Sequence, residues 1–84
     1  MSRHTVPADT DGIEIIVGWD VPQATFFAQA WDRRRLADDP AAELVWIGTE
    51  YREIQDPQTV LDAIKPWATI PEGLADTLYQ EAHA

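Results

Sequence analysis

Ala24-Thr25-Phe26-Phe27-Ala28-Gln29-Ala30-Trp31 decides the fold of this chain. Read as a strand, it places Phe26, Ala28 and Ala30 on one side and Thr25, Phe27, Gln29 and Trp31 on the other. Read as a helix, it has Asp20 as a cap and Pro22 in the first turn. Phe27 and Trp31 then stack at i, i+4, and the run continues to Leu36. Two adjacent phenylalanines, a threonine and a tryptophan favour a pleated surface. The short connector Val21-Pro22-Gln23 also suits a link between antiparallel neighbours. The expectation is an α+β fold: a three-stranded antiparallel meander followed by two C-terminal helices (β-β-β-α-α). The helical reading gives β-α-β-α-α as the alternative.

N-terminal to this stretch, Ile13-Glu14-Ile15-Ile16-Val17-Gly18-Trp19-Asp20 alternates as a strand should. Ile13, Ile15, Val17 and Trp19 share one face, assigned to the core, and Ile16 sits beside Glu14 on the other. Residues 1–11 are polar and read as a flexible arm. Residues 12–84 then form the single small domain.

C-terminal to it comes a loop, Arg33-Arg34-Arg35-Leu36-Ala37-Asp38-Asp39-Pro40-Ala41-Ala42. The third strand, Glu43–Thr49, is apolar on both faces, as a strand buried on both sides is. Glu50–Gln55 is a polar connector. Asp56-Pro57 opens a helix, with the aspartate as cap and proline in the first turn. Val60, Leu61 and Ile64 make its apolar stripe, and Lys65-Pro66 ends it. Thr69-Ile70-Pro71-Glu72 matches a capping box for the last helix, in which Leu74, Leu78 and Ala75, Tyr79 fall at helical spacing.

Eighty-four residues make one domain, and a chain this short buries only about 60% of its unfolded surface. There is no cysteine, which removes disulfides, thiolate ligands and cysteine nucleophiles together. A reducing cytoplasm is therefore the expected location. No apolar run reaches the roughly 20 residues that span a bilayer, and no membrane partner is expected. The net charge is −9, from 15 acidic and 6 basic side chains. Residues 1–35 hold five acids and four bases, whereas residues 36–84 hold ten acids and two bases. That field repels phosphates, so no direct nucleic-acid contact is expected, and it suits a basic protein surface.

No catalytic constellation emerges. The single serine, Ser2, lies in the arm, and His4 and His83 lie at opposite ends of the sequence, so no nucleophile–base pair can be assembled. Asp9-Thr10-Asp11-Gly12 begins like a calcium loop. With Gly12 sixth, however, the first position is Pro7 and the twelfth is Gly18, and neither supplies a carboxylate. No metal and no cofactor are expected, and the chain is read as a non-enzyme. A ligand pocket would have to enclose Asp20, Glu50 or Arg52.

Two short helices cover one face of a three-stranded sheet. The other face is left with Ile16, Phe27, Trp31 and part of Leu44–Ile47, enough exposed apolar surface to mark an interface. Arg33-Arg34-Arg35 is the one basic cluster, with Asp32, Asp38 and Asp39 near enough to neutralise it. Trp67, in the joint between the helices, is the tryptophan expected to be partly exposed. The candidate interaction residues are therefore Phe27, Trp31, Arg33, Arg34, Arg35, Asp38, Asp39 and Trp67.

The run G-W-D-x-P-x-x-T-F-F-A-Q-x-W-D from Gly18 to Asp32, with L-V-W-I-G-T at Leu44 to Thr49, resembles a group of small bacterial and mobile-element proteins. The resemblance implies a β-rich first half and no particular activity. In size and acidity, though in no motif, the chain is also similar to phage and plasmid inhibitors such as anti-CRISPR proteins. The expected function is a non-catalytic protein-binding module, an acidic inhibitor or regulator of a host or mobile-element protein. The partner is then a protein with a basic surface, or a second copy through the open sheet face. A homodimeric structural domain and a small-ligand-binding domain are the alternatives.

Overall fold

Gly12 takes a left-handed conformation (φ 88°) and turns the chain into its longest hairpin. In the computed structural model, which describes residues 2–84, the elements are β1 (His4–Val6), β2 (Ile13–Asp20), β3 (Thr25–Asp32), β4 (Glu43–Ile47), α1 (Pro57–Ile64) and α2 (Leu74–Ala82). A single 3-10 turn, Pro40–Ala42, precedes β4. All four strands pair antiparallel in the order β1-β2-β3-β4. The deciding stretch is thus a strand, at the centre of an antiparallel sheet. The fold is α+β, but with four strands, β-β-β-β-α-α.

The additional strand lies in the segment read as a loose arm. His4, Thr5 and Val6 pair with Val17, Ile16 and Ile15, which places Val6 in the core at 2% exposure. Beyond that pairing, the Ser2 amide donates to the Trp19 carbonyl at 3.0 Å and the Asp9 amide to the Trp67 carbonyl at 2.8 Å. The His4 ring Nε2 lies 2.8 Å from Glu81 Oε1 on α2. Three residues carry too little alternation to announce a strand. The free edge of β2 creates this one by offering unpaired amides and carbonyls.

The helices cover the face that carries Val6, Ile15, Val17, Phe26, Ala28, Ala30 and Val45, and they add Val60, Leu61, Ile64 and Leu78 to one cluster. Ala28 and Ala30, both fully buried, keep β3 low beneath α1. Each fully buried Ile, Leu or Phe here contributes about 1.5–3 kcal/mol relative to exposure. Asp56 caps α1 by accepting from the Gln58 amide at 2.9 Å, and Pro57 stands in its first turn. The capping box foreseen for α2 does not form. Gly73, left-handed at φ 84°, is the N-cap and supplies no side-chain bond. Thr69 instead contacts Asp9 Oδ1, through its amide at 3.2 Å and its hydroxyl at 3.3 Å. A tertiary partner from the N-terminal segment has displaced the local one.

The end of β3 not paired by β4 is closed by the connector. The Phe26 amide donates to the Ile54 carbonyl at 3.0 Å, and the Ile54 amide donates to Thr25 Oγ1 at 2.8 Å. Glu53 gathers the turn before it, its carboxylate accepting from the amides of Gly48, Thr49 and Glu50, each at 3.1 Å. The Gly48 amide first, then those of Glu50 and Thr49, hold the Glu53 carboxyl below the usual carboxylate range despite some desolvation.

Candidate functional site

The face of the sheet opposite the helices carries Thr5 from β1, Glu14 and Ile16 from β2, Phe27, Gln29 and Trp31 from β3, and Trp46 from β4. This follows from the register, which pairs Thr5 with Ile16, Ile16 with Gln29 and Gln29 with Trp46. Trp46 is 49% exposed and meets Trp31 edge-to-face, with ring centroids 5.3 Å apart at 74°. Trp46 pairs with Gln29, two residues before Trp31 on the same face, so the two rings are diagonal neighbours across the strands. The Arg33 guanidinium lies 5.7 Å from the Trp31 ring centroid and donates to Glu14 Oε1 at 2.9 Å. A row Trp46–Trp31–Arg33–Glu14 therefore crosses the open face.

Phe27 departs from the expectation of an exposed anchor: it is only 6% exposed. Its register partner is Gly18. With no side chain there, the Phe27 ring lies over the glycine backbone, so close that a Cβ on Gly18 would sit 2.9 Å from Phe27 Cζ. The Ser2 carbonyl fills the remaining space, 2.0 Å from the same Cβ position. A bare glycine and the N-terminal segment thus turn an aromatic on the open face into a buried one.

The arginine cluster is largely answered by acids. Asp32, almost fully buried, accepts from the Arg34 amide at 3.0 Å, from Arg34 Nε at 2.9 Å and from Arg34 Nη2 at 3.0 Å. These bonds hold the Asp32 carboxyl below its ordinary range against its desolvation, and Asp32 in turn raises the Arg34 guanidinium. Arg35 stands 3.6 Å from both Asp32 and Asp39. Asp39 also caps the 3-10 turn, accepting from the Ala41 amide at 2.9 Å. Asp38 is exposed in the loop. Trp67 is half-buried and packs against the core cluster, in the helical layer and away from Trp31.

The structure brings together Trp31, Arg33, Arg34, Arg35 and Asp39 at one end of the β3–β4 hairpin, and leaves Phe27, Asp38 and Trp67 apart from them. Trp46 is the residue that sequence reasoning passed over. Its signal was the choice between Leu44/Trp46 and Val45/Ile47 for the outer face. Val45 opposite Ala30 fits the space under the helices, which sends Trp46 outward.

Asp20, Glu50 and Arg52 do not converge. Asp20 borders a cleft of about 230 Å³ with Phe27 and Gln29, whereas Arg52 borders another with Trp19, Tyr51 and His83. Among the described residues no group of three His, Asp or Glu side chains has the placement to hold a metal ion. Among the described residues no helix is long and apolar enough to cross a membrane. Comparison with known proteins finds no family model, no curated protein and no solved structure that matches this chain.

Proposed function

We propose that this chain is a non-catalytic binding module that recognises another protein through the open face of its sheet. The observation that carries the reading is the half-exposed Trp46, edge-packed on Trp31 with Arg33 alongside. Tryptophan and arginine are the residue types that anchor interfaces, and they do so where neighbouring contacts exclude water. Here the neighbours Ile16, Gln29 and Thr5 carry no charge, and the ionised pair on the face, Arg33 and Glu14, is already joined by a 2.9 Å bond. The acidic side chains of the helical layer, such as Asp56, Asp62 and Asp76, lie on the opposite side, where they favour solubility and draw in basic partners. An inhibitor or regulator of a host or mobile-element protein is the form of this reading closest to the size and charge of the chain.

The test is a tagged capture from the native host's lysate, run in parallel with wild type and Trp46→Ala and eluted in a salt gradient. The reading expects one stoichiometric protein that resists moderate salt and is lost with Trp46→Ala, a drop of roughly 30-fold or more in affinity. Retention by Trp46→Ala with release at low salt would move the contact to the acidic helical side. Self-association alone, seen as a concentration-dependent mass in light scattering, would replace the partner with a second copy.

A further inference from the structure

The hairpin end carries a cleft that shares Trp31 and Arg33 with the open face and adds Asp32, Arg35, Ala37 and Ala42, which the open-face reading does not use. Trp31, Asp32, Arg33, Arg35, Ala37 and Ala42 line an open space of about 510 Å³, the size range of small-molecule sites. Its arginines differ in how far their donors are spent. A guanidinium carries five N–H groups in a planar fork. Arg34 commits its fork to Asp32 with two bonds, which together with its amide leaves the Asp32 charge answered. Arg33 makes one side-chain bond, from Nη2 to Glu14. Arg35 makes no hydrogen bond among the described residues, but it is ion-paired through Nε with Asp32 and through Nη1 with Asp39, each at 3.6 Å. Arg35 therefore brings to the cleft, beside Trp31, a guanidinium with no hydrogen bond of its own, held in position by its ion pairs with Asp32 and Asp39.

We propose that this cleft binds a carboxylate attached to a flat apolar group. The Arg35 fork takes the carboxylate bidentately, the geometry for which guanidinium is suited. The Trp31 ring and the methyl groups of Ala37 and Ala42 take the apolar part. A polyanion is disfavoured by the net charge of −9, so the ligand is a monoanion. An aromatic acid in free solution and the C-terminal end of a peptide that finishes in an aromatic residue share this chemistry.

The experiment is a two-dimensional NMR titration of the full chain, reading the indole N–H of Trp31 and the Nε–H of Arg33 and Arg35. The probes are phenylacetate, its neutral isostere phenylacetamide, acetate, and a short peptide ending in phenylalanine with a free or an amidated C-terminus. The expected result is saturable movement of these three signals with phenylacetate or the free-ended peptide. Phenylacetamide, acetate and the amidated peptide should bind at least about tenfold more weakly, the value of one charge-assisted bond. The tighter of the two acids identifies the source. Arg35→Gln, at a half-exposed side chain, should keep the fold by circular dichroism and weaken binding roughly tenfold. Binding of phenylacetamide as strong as phenylacetate, an unchanged affinity in Arg35→Gln, or no saturable shift up to about 20 mM of either acid would each overturn the proposal. None of these outcomes depends on whether a protein docks at Trp46.

Discussion

Thr25→Val isolates a single buried contact. The Thr25 side chain is fully buried. Its hydroxyl accepts from the Ile54 amide at 2.8 Å and donates toward the Phe26 carbonyl at 2.9 Å and the Ile54 carbonyl at 3.2 Å. Valine keeps the shape and replaces the hydroxyl with a methyl, so no cavity forms. What is lost is the acceptor for an amide at a residue only 8% exposed. An orphaned buried donor costs about 1–3 kcal/mol. For a domain of this size that lowers Tm by roughly 4–8 °C per kcal/mol. Thr25→Ser is the control: it keeps the hydroxyl and loses one methyl, costing about 1 kcal/mol. Urea unfolding followed by tryptophan fluorescence should therefore rank wild type above Thr25→Ser and Thr25→Val last. A Thr25→Val protein within about 0.5 kcal/mol of wild type, or more stable than Thr25→Ser, would refute the idea that this hydroxyl clamps the connector to β3.

Three further outcomes are expected. Gly18→Ala places a Cβ 2.0 Å from the Ser2 carbonyl oxygen and 2.9 Å from Phe27 Cζ; it should cost about 1–3 kcal/mol and speed exchange of the Ser2 amide, and unchanged exchange would mean that the N-terminal segment yields freely. Gly48→Ala combines a left-handed φ of 81° with a Cβ 2.0 Å from the Phe26 carbonyl oxygen. It should cost more than about 2 kcal/mol, and a near-neutral substitution in chemical denaturation would show that this turn readily adopts another path. The carboxyls of Asp32, Glu53, Asp62 and Glu81 are all lowered in the folded state. Groups with depressed folded values stabilise above their unfolded values and lose that contribution as pH falls through the folded ones, so Tm should be level above about pH 5 and decline below about pH 4; a Tm that holds steady down to pH 2 would contradict it.

The alternation of Phe26, Ala28 and Ala30 against Phe27, Gln29 and Trp31 was enough to place β3. Val60, Leu61 and Ile64, behind the Asp56-Pro57 start, placed α1 in the same way, because these patterns are local. The strand at His4–Val6 was not legible, since its stability comes from β2 and not from its own residues. Nor was the burial of Phe27, which depends on Gly18 being its cross-strand partner, a fact of register. The neutralised arginine tip was foreseeable from Asp32 and Asp39. That Asp32 would be buried and take its hydrogen bonds from Arg34, leaving Arg35 only ion pairs, was not. Trp46 shows the same limit: a strand apolar on both sides does not declare which side faces water until the small residues opposite it are known.

His4 on the first strand meets Glu81 on the last helix. Burial alone would raise the Glu81 carboxyl, and the hydrogen bonds from His4 and Ser2 outweigh it. Val6 beside His4 is buried in the shared core. The edge of the sheet that is synthesised first is therefore completed by the helix synthesised last. A nascent chain on the ribosome can form the β2–β3 hairpin early, but β1 has no helix to close against until residue 81 has left the exit tunnel. Contacts of that sequence separation are slow to form. A chain shortened before α2 would lose its first strand as well as its last helix, and would expose Ile15 and Val17 along an unprotected sheet edge, where chains pair with one another.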